Sequence, residues 1–203
     1  MAAEAEPERL PRGRHGLSRE DVVRSQRDRM LLALAETVAE KGYAKTTVAD
    51  VLARAGVSRE TFYEQFSSKE ACFLETFDRA GQILLERIST APADAGEGAF
   101  EQVLGRYLDT LAGEPAFAHV FLVDVYAAGP EAVARRTAVQ GRFAAALIEL
   151  FDARADHERL ACELLVAGVG SMVTTRVAAG EHASLHELKE PIADLVRRAT
   201  KAR

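Results

Sequence analysis

Twenty residues, Thr47–Phe66, constrain this chain more than any others: TVADVLARAGVSRETFYEQF. Thr47-Val-Ala-Asp50 has the composition of a helix start, and Val48, Val51 and Leu52 then recur at helical spacing. Gly56 ends that helix, because glycine enters the left-handed conformation that a sharp stop requires. Ser58 caps a second short helix, and Val57 plugs the space beneath the turn. Val48, Leu52, Val57, Phe62 and Phe66 then converge inward on one side. Two short helices across a tight glycine turn form a helix-turn-helix, with Ser58–Phe66 as its recognition helix.

With Phe62 and Phe66 turned inward, Arg59, Glu60 and Tyr63 face outward. A guanidinium at Arg59 matches the paired acceptors O6 and N7 of guanine. Glu60 has two readings, accepting from the cytosine amino group or holding Arg59 in place. The hydroxyls of Thr61 and Tyr63 suit phosphate oxygens, which position a helix without reading sequence. Lys69, with the free N–H groups at the start of the next helix, makes a second phosphate seat, and Thr47 does the same one helix earlier. The bland alternative for these residues is a solvated helix face. The complete helix-turn-helix frame around them favours DNA contact.

Charge is distributed in agreement with this. The net charge is −5, yet residues 1–70 hold 12 Lys+Arg and 12 Asp+Glu, so the deficit lies wholly in residues 71–203. Residues 9–29 carry seven arginines against three acids. Residues 1–17 lack periodicity and are expected to form a mobile basic tail. Arg9, Arg12, Arg14 and His15 are either an arm that tracks phosphate or a solubilising tail.

The remaining pattern is helical. Ser18-Arg-Glu-Asp21 resembles a capping box, and Met30, Leu31, Leu34 and Val38 make one apolar stripe that ends at Lys41-Gly42. Ser67-Ser-Lys-Glu70 reads as another capping box, opening a helix to Ser89. Beyond the small-residue linker Pro92–Gly98, helices are expected over Ala99–Ala112, Ala116–Ala128, Pro130–Ala153 and Glu158–Ala179. A last one is capped by Ser184-Leu-His-Glu187. No run alternates as a strand does. The fold expected is all-α: a three-helix helix-turn-helix DNA-binding domain over residues 18–70, then a six-helix ligand-binding and dimerisation bundle over residues 71–203.

Ala116–Ala128 is apolar nearly all round, so it belongs inside that bundle. Phe100, Tyr107, Phe117, Phe121, Phe143 and Met172 are candidates for the wall of a ligand pocket, with Tyr107, Tyr126 or Arg176 fixing a ligand's orientation. The same residues serve equally as plain core, with their polar groups paired inside the protein. Leu188, Ile192 and Leu195 form a stripe that a monomer would leave partly exposed, a candidate dimer interface. Gly168 and Ser171 suit close helix approach at such a seam; Gly168-Val-Gly170 follows no strand and is no nucleotide loop. Cys72 and Cys162 read as buried small hydrophobes, and His182 and His186 are split by a helix break, so no metal site is expected. The most apolar stretch, Leu164–Thr175, is too short to span a bilayer, and no secretory pattern precedes it. No nucleophile–base frame, phosphate loop or cofactor motif points to an enzyme.

Gly42-Tyr43, Thr46-Thr47, Ala55-Gly56-Val57-Ser58, Thr61-Phe62-Tyr63, Phe66 and Lys69-Glu70 together resemble the DNA-binding domain of the TetR family of transcriptional regulators. The resemblance covers roughly residues 20–75. It implies phosphate contacts at Thr47, Thr61, Tyr63 and Lys69 and base-facing positions at Arg59 and Glu60. Glu64 and Gln65 depart from the family pattern, in which an aromatic or basic residue and a histidine are frequent, and no contact role is carried to them. The resemblance further implies homodimers paired through the last two helices, a ligand cavity within the bundle, and repression. The expected function is a cytoplasmic repressor released from a palindromic DNA operator by a small apolar effector, without a cofactor or membrane partner.

Overall fold

The computed structural model describes residues 18–89 and 98–201. The tail expected over residues 1–17 and most of the expected linker at Pro92–Gly98 lie outside the described residues. Among the described residues there are nine α-helices and no strand: α1 (Arg19–Lys41), α2 (Val48–Ala55), α3 (Arg59–Gln65), α4 (Lys69–Ser89), α5 (Ala99–Gly113), α6 (Pro115–Leu122), α7 (Pro130–Leu150), α8 (Asp156–Ala178) and α9 (Lys189–Lys201). Short 3-10 segments at Tyr43–Lys45, Asp124–Tyr126 and His182–Leu188 join them.

The head is built on α1, against which α2, α4 and α6 pack. Ser18 caps α1, its hydroxyl accepting the Asp21 N–H at 3.1 Å. Met30, Leu34, Ala35 and Val38 are fully buried on the inner face of α1. Each large side chain so buried contributes about 1.5–3 kcal/mol. Helix α4 starts beside α3 and runs without a break into the bundle, where it meets α5, α6 and α7. The boundary expected after residue 70 therefore falls in the first turn of a continuous helix. The cap of α4 is Ser68, whose hydroxyl accepts the Ala71 N–H at 3.0 Å, one residue later than the expected start.

Two helices of the bundle differ from expectation. The apolar run to Ala128 is not one helix: α6 stops at Leu122 and the chain turns through Val123 into the 3-10 segment. The cause is Asp124, whose carboxylate accepts the backbone N–H of Tyr43 at 2.8 Å and meets His119 Nδ1 at 2.6 Å. Continuing the α-helix would swing that carboxylate away from both. The last helix begins at Lys189, not after Ser184; the Ser184 hydroxyl donates to the Glu181 carbonyl at 3.0 Å and caps nothing. Pro191 then sits in the first turn of α9, where its missing N–H costs no helical bond. Helix α8 has 23 residues with a window of mean hydropathy 1.4, long and apolar enough to cross a membrane by length and composition. The stretch Leu164–Thr175 is the middle of this helix, whose added length comes from the more polar turns before it, with Asp156, Glu158, Arg159 and Glu163.

Candidate functional site

Local chemistry places α3. Gly56 has φ 64 and ψ 42, and its N–H donates to the Leu52 carbonyl at 3.0 Å. The Ser58 hydroxyl accepts the Thr61 N–H at 3.0 Å. Phe62 and Phe66 are buried, with ring centroids 5.4 Å apart. Two arginines of α1 hold the motif from behind, and sequence reasoning missed both. Arg29 Nη1 donates to the Ala55 carbonyl at 2.9 Å, tying down the end of α2. Arg27 pairs with Glu75 of α4 and stacks its guanidinium 4.7 Å from the centre of the Phe66 ring. It also reaches the Gln65 carbonyl and Oε1 at 3.5 Å, so Gln65 turns towards the protein.

The outward face of α3 carries Arg59, Glu60 and Glu64, all exposed, and Tyr63, whose side chain is 46% exposed. Arg59 lies over the Tyr63 ring at 5.4 Å and donates to its hydroxyl at 3.5 Å, so it rests on Tyr63 rather than on Glu60. A cation stacked on an aromatic ring is loosely held and keeps most of its donors free. Thr61 shares a 2.9 Å hydroxyl contact with Ser58. Thr47 caps α2, its hydroxyl donating to Asp50 at 2.5 Å. Lys41 meets the same carboxylate at 2.6 Å and holds the Asp50 pKa well below the usual carboxylate range.

Lys69 is placed otherwise than expected. Its ammonium donates to the carbonyls of Tyr43 and Thr46, each at 2.9 Å, and lies 4.0 Å from the Tyr43 ring centre. Two of its three donors are thus spent closing the turn ahead of α2, which leaves one for a phosphate. Burial pushes its pKa down.

Within the bundle, a cavity of about 320 Å³ lies between the end of α4 and helices α5, α7 and α8. Of the eight candidate pocket residues, Phe100, Tyr107 and Phe143 line it, joined by Leu85, Val139, Leu147, Leu165 and Val169. The other five candidates do not line it. Phe121 stacks on Phe77 at 4.9 Å in the closed core, and Phe117 packs against that core, because α6 lies against α1 and α4. Tyr126 is exposed, and its hydroxyl accepts from Arg136 Nε at 2.9 Å. Met172 faces a groove on the other side of α8, and Arg176 sits in the last turn of that helix.

Asp124 and Arg136 are both buried and link the two parts of the molecule. Arg136 of α7 donates to the Phe121 carbonyl at 2.9 Å, satisfying the C-terminus of α6 where the helix dipole favours a cation. Asp124 then joins the segment after α6 to Tyr43, directly behind the helix-turn-helix. Hydrogen bonds therefore tie Arg136 of a cavity-lining helix to Phe121, and, three residues further along the chain, Asp124 to Tyr43, whose carbonyl accepts from Lys69 ahead of α2.

The dimer stripe divides. Leu188 is buried on the 3-10 segment that packs against α5, and Ile192 is 6% exposed, so both belong to the chain's own core. Leu195 is 65% exposed and borders an apolar groove of about 410 Å³ with Leu164, Gly168 and Met172. Cys72 and Cys162 are buried free thiols, and burial pushes the Cys72 pKa up to about 12. Among the described residues no group of three or more His, Cys, Asp or Glu is arranged to hold a metal ion.

Residues 31–76 match the sequence model of bacterial regulatory proteins of the tetR family. The chain is 32% identical over 115 residues to the HTH-type transcriptional regulator EthR of Mycolicibacterium smegmatis, an alignment covering 54% of this chain and 51% of that protein. It thus spans about half the length of that relative. Solved structures share the fold across nearly their whole length. A TetR-like transcriptional regulator from Rhodococcus sp. RHA1 superposes with a TM-score of 0.70 at 22% identity, covering 91% of this chain and 96% of that one. The fatty acid degradation regulator FadR of Bacillus halodurans gives 0.69 at 21% identity, covering 84% and 97%. FadR of Bacillus subtilis in complex with stearoyl-CoA gives 0.66 at 21% identity, covering 82% and 95%.

Proposed function

We propose that this chain, whose residues 31–76 match bacterial regulatory proteins of the tetR family, is a DNA-binding transcriptional regulator of that kind, a homodimeric repressor released from a palindromic operator by a small, largely apolar ligand. The observation that carries this reading is the rigid presentation of α3. Phe62 and Phe66 are buried beneath it, Arg27 and Arg29 brace it from α1, and Arg59, Glu60 and Tyr63 are left outward. Arg59 and Glu60 read base edges, while Thr61, Tyr63, Thr47 and the remaining donor of Lys69 meet phosphates. Residues 18–70 supply that function and the bundle after them the sensing and pairing. Such a protein acts where the DNA is, in the cytoplasm.

Two copies meet through the outer faces of α8 and α9. Leu164, at 64% exposed, and Leu195 form the centre of an apolar surface that a second copy would cover. Covering it gains about 25 cal/mol for each Å² of apolar area. Pairing also sets the separation of the two recognition helices, which must match half-sites one helical turn of DNA apart.

Ligand control follows from differential affinity. A ligand that fits the cavity better in one separation of the heads shifts the dimer towards it. Helix α4 joins the cavity at Leu85 and Ile88 to the head at Lys69, and the segment Phe121–Asp124, held by Arg136 at one end and bonded to Tyr43 at the other, is a second connection. One neighbour of this fold was solved with a ligand that includes a long acyl chain, stearoyl-CoA, which supports a ligand-binding role for the bundle. Fluorescence anisotropy on a duplex carrying the region upstream of the chain's own gene tests the reading. Binding should be lost on raising salt, because phosphate contacts release counterions. Binding that survives both Arg59→Ala and Tyr63→Phe would refute it.

A further inference from the structure

We infer that the cavity takes an uncharged ligand of mostly apolar surface that presents one hydrogen-bond acceptor to the Tyr107 hydroxyl. This deepens the proposed function and rests on the cavity being its ligand site. Among the described residues that line the cavity, two carry polar side chains, Tyr107 and Arg142. Arg142 is exposed, as are Leu85 and Leu150 beside it, so these mark the mouth. Tyr107 is the interior polar group. Its ring stands edge-on to Phe143, with centroids 6.2 Å apart.

The Tyr107 hydroxyl has no hydrogen-bond partner among the described residues, and the surface it retains is cavity wall. Tyr107 is half-buried and its hydroxyl keeps accessible surface, so the acceptor of a ligand in the cavity can reach it. Burial raises its pKa to about 12, so the phenol keeps its proton and acts as a donor across the physiological range. The nearby charge of Arg136 opposes that rise and sharpens the donor, but its effect is the smaller. Arg136 itself does not line the cavity and donates to the Phe121 carbonyl and the Tyr126 hydroxyl. A carboxylate placed at Tyr107 would therefore lose its water and gain no cation in contact, a cost that an uncharged carbonyl or ether oxygen avoids.

Volume bounds the size. At about 30 Å³ for each water-sized group, the space admits roughly ten non-hydrogen atoms. A single aromatic ring with a short alkyl arm fills it; a long acyl chain would have to leave through the mouth past Arg142.

Calorimetry on the full chain with three probes of nearly one shape tests this: butylbenzene, butyrophenone and phenylbutyrate. They differ in carrying no acceptor, an uncharged acceptor, and a carboxylate. Butyrophenone is expected to bind about tenfold tighter than butylbenzene, the fold-change of a net hydrogen bond near 1.4 kcal/mol. Tyr107→Phe should erase that preference and leave butylbenzene within about twofold of its wild-type affinity. Phenylbutyrate should bind at least about tenfold more weakly than the ketone. A ketone preference that survives Tyr107→Phe, or equal binding of hydrocarbon and ketone, overturns the role of Tyr107 and leaves the cavity standing as a ligand site. Tightest binding by phenylbutyrate overturns the uncharged class, and its loss in Arg142→Gln would place an anion at the mouth. Binding by none of the three removes the cavity from the proposed function and this inference with it.

Discussion

Replacing Asp124 by alanine probes the joint between head and bundle. In the native fold the carboxylate is 6% exposed, accepts the Tyr43 N–H at 2.8 Å and meets His119 Nδ1 at 2.6 Å. Removing it leaves a part-buried backbone donor without a partner, which costs about 1–3 kcal/mol. The charge-assisted contact to His119 is worth about 1.5–3 kcal/mol more where it is well buried. Since neighbouring effects do not add fully, a total of about 2–4 kcal/mol is expected. For a chain of this size each kcal/mol lowers Tm by roughly 2–4 °C, so Asp124→Ala should melt about 5–15 °C below wild type. Asp124→Asn keeps a neutral acceptor of the same shape for Tyr43 and should lose less than half as much. Differential scanning calorimetry on the three proteins gives the comparison. A change below about 0.5 kcal/mol for alanine, the range of an ordinary surface substitution, would refute the joint, and an asparagine variant as unstable as the alanine one would refute the role assigned to the Tyr43 bond.

Leu195→Asp should yield a folded monomer by light scattering, because the side chain is exposed on the chain itself, whereas Ile192→Asp should unfold it by placing a charge in the core. Gly56→Ala should cost about 1–2 kcal/mol in urea denaturation, since φ 64 is a left-handed conformation that a Cβ disfavours. Asp50 has a folded pKa depressed below the ordinary 3.8 by Lys41 and Thr47, so its contribution is complete above that value and lost as the pH falls through the folded pKa. The protection of amides at the start of α2, taken relative to their intrinsic exchange rate at each pH, should fall in acid for the wild type and change less with pH in Asp50→Asn.

The helix-turn-helix was legible because its determinants are local. A cap at Ser58, a left-handed Gly56 and two phenylalanines one turn apart act within a few residues of one another, and the structure keeps all of them. What sequence reasoning missed depends on partners far along the chain. The break after Leu122 is set by a bond between residues 81 positions apart, so the apolar run of α6 gave no sign of it. Nothing in the sequence marks Lys69 as also closing the turn ahead of α2, because the carbonyls of Tyr43 and Thr46 that it bonds lie more than twenty residues away. An apolar stripe on α9 marks burial but not the burying surface. Ile192 faces its own bundle and Leu195 faces outward, three residues apart. Phe121 and Phe143 look alike as letters, yet one fills a closed core and the other lines a cavity, according to which helices flank them.

The central claim, that α3 of a paired molecule reads DNA, is tested most directly by selecting bound duplexes from a random-sequence library with the full chain. The account predicts enrichment of a palindrome whose half-sites lie about one helical turn apart. Arg59→Ala should relax one base pair in each half-site at a cost of about 1–3 kcal/mol, with the rest of the palindrome kept. Enrichment of no sequence, or of the same sequence with undiminished affinity by a protein lacking both the Arg59 guanidinium and the Tyr63 hydroxyl, would contradict it.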